Sequence, residues 1–234
     1  MDALSRTNPP SRTGARRPTR IGVVGRPGSG KGTQSARIAR MLAAPHISTG
    51  DLLRAEIEAD SPTGQQARAF VESGELVPDP LMLEMLTHRL SQADVLERGF
   101  VLDGFPRTVD QAHILGVLLA PETLDVVVEL LVPESEAAQR LVARLVCPHC
   151  GRAIRGERRS GMCEHCGEVL ARRTDDDREV VERRFLLFAT ETIPLIEELD
   201  RSGRLITVDG NQPVADVTRE ILAELERAFP TLFS

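Results

Sequence analysis

The chain has 234 residues and is 41% hydrophobic, enough to bury one good core with small inserted subdomains. No apolar run approaches the ~18–20 residues of a membrane span, and the absence of Trp and Tyr removes the usual stacking platforms for single-stranded nucleic acid. The net charge of −6 is uneven: residues 1–20 carry five Arg and one Asp, while residues 21–234 carry 24 basic and 34 acidic side chains, and so acidic a body argues against nucleic-acid binding.

Residues 1–19 are rich in Ser, Arg, Pro and Thr and lack the apolar stretch of a secretory signal. They read as a disordered tail in preference to an Arg-rich transit peptide. The expected setting is cytoplasmic and reducing, where four cysteines point to metal before disulfides.

Ile21-Gly22-Val23-Val24 is a short apolar run that ends in Gly25-Arg26-Pro27-Gly28-Ser29-Gly30-Lys31-Gly32-Thr33, and residues 32–42 continue with helical spacing. Strand, glycine loop and helix in that order build a phosphate site: the glycines let backbone N–H groups turn toward phosphate oxygens, and the helix start adds its positive dipole end. Among 29 Lys and Arg residues, Lys31 is the one lysine. Arginine is a wide planar fork, whereas lysine is a compact charge on a thin stem that fits inside such a loop.

Further apolar runs follow at Pro45-His46-Ile47-Ser48, Phe100-Val101-Leu102-Asp103, Val126–Leu131 and residues 205–208, separated by helical stretches. This rhythm predicts an α/β fold with a five-stranded parallel sheet flanked by helices. Ligands bind such sheets at the carboxyl ends of strands, where Gly25 and Asp103 fall. Asp103 is placed to hold Mg²⁺ through water, and Arg107 to fork onto a phosphate. Residues 214–229 read as a closing amphipathic helix, with Val217, Ile221, Leu222, Leu225 and Phe229 on one side.

Two segments break the rhythm. Residues 48–79 form a polar, mostly helical insert, and residues 141–178 hold all four cysteines. The expected core is therefore residues 20–47, 80–140 and 179–234. Cys147-Pro-His-Cys150-Gly and Cys163-Glu-His-Cys166-Gly repeat one pattern, each presenting two thiolates. Together they predict a structural Zn²⁺ site, with disulfides as the minor alternative and iron not separable by ligand type. Four thiolates leave no open position for catalysis, and His149 and His165 are expected to be exposed. Metal binding would supply the folding energy that so polar a segment lacks.

Gly25 to Thr33, Ser48-Thr49-Gly50-Asp51-Leu52-Leu53-Arg54, Asp103 to Thr108 with Gln111, and Arg173-Thr174-Asp175-Asp176 with Arg184 together resemble adenylate kinase over residues 20–230. The resemblance is to the bacterial type with a zinc-bearing lid. It implies reversible, Mg²⁺-dependent transfer, ATP + AMP to two ADP. ATP would be held by Gly28, Ser29, Gly30, Lys31, Gly32, Thr33, Arg140, Arg144 and Gln212. AMP would be held by Thr49, Arg54, Val77, Gly104, Arg107, Gln111, Arg173 and Arg184, with Gln111 reading the adenine edge. Lys31, Arg107, Arg144, Arg173 and Arg184 would surround the moving phosphoryl group, with Arg172 and Arg183 as the competing register choices. Residues 48–79 become the AMP-binding insert and 141–178 the lid, on a chain expected to act as a monomer with no nucleic acid or membrane partner. Three departures from the family pattern stand out: a shorter spacer between the knuckles, Ala153-Ile154 where an aromatic is usual, and Ala143 where glycine is common. Two other readings stay open, a related kinase accepting UMP, CMP or GMP, and a nucleotide sensor or zinc-ribbon binder without turnover.

Overall fold

The computed structural model describes residues 18–151, 153–155 and 161–230. In chain order, β1 (Thr19–Gly25) enters the glycine loop and α1 (Lys31–Met41). β2 (His46–Ser48) is followed by four helices, α2 (Thr49–Glu58), α3 (Pro62–Ser73), α4 (Asp79–Leu90) and α5 (Ala93–Arg98). β3 (Gly99–Asp103) leads through α6 (Val109–Leu119) to β4 (Val126–Leu131) and α7 (Glu134–Val142). A small ribbon, β5 (Arg144–Val146) with β6 (Ala153–Arg155), precedes α8 (Arg178–Leu187), α9 (Ile193–Arg201), β7 (Leu205–Asp209) and α10 (Val214–Ala228).

The five apolar runs become one parallel sheet in the order β2-β3-β1-β4-β7. Alternation along the buried strands sends side chains to two cores, as a sheet covered on both faces requires. Ile21, Val23, Val101 and Val128 face α1 and α10, where Ile38, Val217, Ile221 and Leu225 are buried. Val24, Phe100, Leu102 and Val127 face the other side, with Met82, Leu86 and Leu115 from α4 and α6. Of the stripe expected on α10, Leu222 and Phe229 are only half-buried. Cutting Ile221 or Leu225 back to Ala would cost about 2–5 kcal/mol.

Local chemistry sets the helix starts nearest the site. Ser48 accepts from the Asp51 N–H at 3.3 Å, Ser61 from Gly64 at 3.0 Å and Thr108 from Gln111 at 3.1 Å, capping α2, α3 and α6. The sheet register sets Val23 beside Asp103, so the loop after β1 and the acid ending β3 share one edge. The β5–β6 ribbon escapes the sequence reading because its two three-residue strands are too short to show a period. Beside it, Leu145, Ile154 and Leu170 pack with cysteine side chains in a core of their own.

Candidate active site

A cavity of about 690 Å³ opens at the carboxyl edge of the sheet, floored by the glycine loop and reaching across to the cysteine-bearing segment at Cys150, Ile154 and His165. Gly28 sits at φ +82° with its Cα so close to the Ala137 carbonyl that any side chain would collide with it. The loop is thereby pressed against α7. Lys31 Nζ donates to the Gly25 carbonyl at 2.6 Å and to the Arg26 carbonyl at 2.9 Å. Desolvation in the cleft pulls its pKa to about 7, against the pull of Asp103 and assisted by Arg107, Arg184 and Arg144. Gly30 and Thr33 line the same cavity.

Five arginines from distant parts of the chain line the same cavity as this lysine: Arg107, Arg140, Arg144, Arg173 and Arg184. Each is held in place by oxygen partners. Arg107 Nε donates to the Gly104 carbonyl at 2.8 Å. Arg140 donates to Glu136 at 2.8 Å, to the Gly210 carbonyl at 3.0 Å and to Asn211 at 2.8 Å. Arg144 forks onto both oxygens of Asp176, its Nε at 2.7 Å. Arg184 donates to the Asp175 carbonyl at 3.0 Å and to its carboxylate at 3.3 Å. Arg173 lies 3.8 Å from Asp51, which also pairs with Arg54.

So many half-buried cations raise the local potential. Desolvation, with Arg54 and Arg144 nearby, lowers Arg173 to about 10. Desolvation and the fields of Arg107 and Arg144 likewise lower Arg184 to about 10, despite Asp175. Burial would raise Asp175, yet Arg184 and Arg173 hold its carboxyl below the ordinary value. A site that strains to keep its positive charge is a site for a polyanion.

Asp103 is 9% exposed, and burial pushes its carboxyl above the ordinary value, opposed by Lys31, His46 and Arg107. A Cβ on Gly32 would come within 3.2 Å of Asp103 Oδ2, so the carboxylate abuts the start of α1 beside Thr33. A hard oxygen donor that burial leaves short of positive charge suits Mg²⁺.

A second, smaller cavity of about 80 Å³ adjoins the first and is lined by Thr49, Leu53, Val77, Gly104, Phe105 and Gln111, among others. Thr49 donates to the Asp103 carbonyl at 3.2 Å. At Gly104, φ +85°, a Cβ would sit 2.7 Å from Thr49 Oγ1, so only glycine lets the chain pass there. Arg54, Arg107 and Arg184 line both cavities and join them.

The four cysteine sulfurs lie within 4.8 Å of one another, with Cys147 and Cys166 at 3.4 Å and Cys150 and Cys163 at 3.6 Å. Tetrahedral Zn²⁺ with thiolate bonds of about 2.3 Å needs sulfurs about 3.8 Å apart, so the set fits the ion. The Cys150 N–H donates to Cys147 Sγ at 3.4 Å, a contact within the first knuckle that orients the sulfur. His149 and His165 are exposed, outside the ligand set.

A family model described as adenylate kinase matches residues 23–204. This chain belongs to the adenylate kinase family. Its members are nucleoside monophosphate kinases that interconvert ATP + AMP and two ADP. The chain is 42% identical over 214 residues to the adenylate kinase of Streptomyces griseus, covering 88% of this chain and 97% of that protein. It is 38% identical to that of Caldicellulosiruptor saccharolyticus, with 88% and 98% covered. With the adenylate kinase of Acholeplasma laidlawii it shares 40% identity, over 89% of this chain and 99% of the relative.

Most residues expected at the site line one or both cavities. Gln212 does not: its amide donates to the Asp209 carbonyl at 3.3 Å and to Glu220 at 2.7 Å. Ser29 is buried beneath the loop. Of the competing arginines, Arg183 pairs with Glu75 at 2.9 Å and Arg172 is exposed, while Arg184 and Arg173 face the cavity. Three contributors escaped the sequence reading. Arg26 pairs with Glu134 and lies 5.6 and 5.2 Å from the ring centres of Phe185 and Phe188. Asp51 bridges Arg54 and Arg173. Asp79 bonds Gln111. None belongs to a chemical pattern that spacing alone reveals.

Proposed function

We propose that Lys31, Arg107, Arg144, Arg173 and Arg184 carry phosphoryl transfer between ATP in the larger cavity and AMP in the smaller one. The observation that carries this reading is that all five cations line the larger cavity and two of them, Arg107 and Arg184, also line the smaller one. ATP lies along residues 28–33, with Arg140 and Arg144 over it. AMP sits against Thr49, Val77, Gly104 and Gln111, its phosphate between Arg54 and Arg107. Gln212 contributes after turning from Glu220.

An AMP phosphate has its second pKa near ~6, so it arrives as a dianion and needs no general base. The task left to the protein is alignment, charge neutralisation and exclusion of water. Lys31 bridges oxygens across the reacting bond, and the arginine forks take the charge that spreads over the transferred group. Asp103 would hold Mg²⁺ through its waters, and that ion supplies further neutralisation of the ATP phosphates. Residues 141–178 act as a lid that Zn²⁺ on Cys147, Cys150, Cys163 and Cys166 would keep rigid; Asp176 pairs with Arg144 inside it, and Asp175 and Asp176 tie it to Arg184 in the core. Closure keeps water, the competing nucleophile, away from ATP.

Every residue assigned to ATP and AMP comes from a single chain, so the reaction asks for nothing beyond a monomer. Among the described residues no helix is long and apolar enough to cross a membrane, and we place the enzyme in the cytoplasm, the usual setting of the family. The test is turnover of each arginine variant: Arg107→Ala, Arg144→Ala, Arg173→Ala and Arg184→Ala should each lower kcat/KM at least about a hundredfold. A variant with near-normal kcat/KM removes that residue from the set.

A further inference from the structure

The Gln111 side chain is 3% exposed, and its carboxamide is held at both ends. Its Oε1 accepts from the Arg107 N–H at 2.8 Å, and its Nε2 donates to Asp79 Oδ1 at 2.8 Å. Asp79 is the first residue of α4, and Gln111 lies on the first turn of α6 with its own N–H capped by Thr108. The two holders are chemically opposite. A backbone N–H can only donate, and an ionised carboxylate can only accept.

A carboxamide is nearly symmetric in shape, so an untethered glutamine can turn over and exchange its donor and acceptor. Here the turned form would set the carbonyl oxygen against the Asp79 carboxylate and the NH₂ group against the Arg107 N–H. Both contacts repel. One hydrogen on Nε2 and one lone pair on Oε1 remain for the smaller cavity, in a fixed order. Adenine presents N6–H as donor and N1 as acceptor. Hypoxanthine, of nearly identical shape, presents O6 as acceptor and N1–H as donor. One order of the amide pairs with the first edge, and only the turned order pairs with the second.

We infer that Asp79 is a specificity-positioning residue: together with the Arg107 amide it fixes the orientation of the Gln111 carboxamide and so selects 6-amino over 6-oxo purine monophosphates. This rests on the reading that places the AMP base against Gln111. A site built to pair with one edge leaves its buried groups unpaired against the other, which makes such discrimination steep.

The experiment measures kcat and KM for AMP and for IMP, at saturating Mg-ATP, in wild type, Asp79→Ser and Asp79→Asn, each first shown to melt cooperatively. Serine keeps a polar residue at the helix start and is too short to reach Nε2. Asparagine can still offer an oxygen to it. Asp79→Ser should raise the KM for AMP about tenfold and narrow the AMP-to-IMP ratio of kcat/KM by about tenfold, with the KM for ATP unmoved. Asp79→Asn should restore most of the wild-type ratio. An unchanged ratio in Asp79→Ser, whatever happens to overall rate, would confine Asp79 to the helix start and overturn the inference, with the AMP reading intact. Wild-type enzyme that uses IMP as well as AMP would overturn the adenine reading itself.

Discussion

The backbone carbonyl of Arg26 accepts a hydrogen bond from the Lys31 ammonium at 2.9 Å, while the Arg26 guanidinium pairs with Glu134 and lies over Phe185 and Phe188. One residue thus ties the phosphate loop to the start of α7 and the end of α8, the helices that carry Arg140 and Arg184. Arg26→Ala should free this part of the loop and lower kcat/KM by about tenfold, with Arg26→Lys in between, since lysine keeps the charge but stacks less well. Steady-state kinetics of the two variants checks it, and equal values for alanine and arginine would contradict it.

Lys31→Arg keeps the charge and should lose turnover by about a hundredfold or more, because the fork has no room among the Gly25 and Arg26 carbonyls. A rate assay suffices, and near-normal turnover would remove the steric argument.

The depressed Lys31 pKa of about 7 carries a pH signature. Below pH 7 the ammonium is already charged and ready for phosphate. Above it, binding must recharge the amine, so affinity falls as pH rises, by up to about tenfold per unit. Calorimetric titration with ADP from pH 7 to 9 should show that decline, and Lys31→Arg should lack it. A flat wild-type profile would contradict the assignment.

Elemental analysis should find one equivalent of metal per chain. Stripping it should lower the melting temperature before it abolishes chemistry, since four thiolates leave the ion no catalytic position. Absence of metal would defeat the knuckle reading. Loss of all turnover at unchanged stability would give the ion a different role.

The sheet was legible because strands covered on both faces read as apolar runs, and the loop because its glycines, lysine and following helix are contiguous. The cysteine knuckles carried their own spacing. The links that tune the site were not legible. Asp176 grips Arg144 from 32 residues away and Arg183 grips Glu75 from 108, and a lone arginine in so arginine-rich a chain gives no sign of which way it faces. Gln212 shows the same difficulty: a turn residue counted toward the site is held elsewhere by Glu220, in the second turn of α10.

The most direct test of the central claim is a coupled assay of initial rates with Mg-ATP and each of AMP, CMP, GMP and UMP. Phosphoryl transfer to AMP should lead in kcat/KM by at least about a hundredfold over the others. Preference for a pyrimidine monophosphate, or tight nucleotide binding with no turnover, would contradict the account.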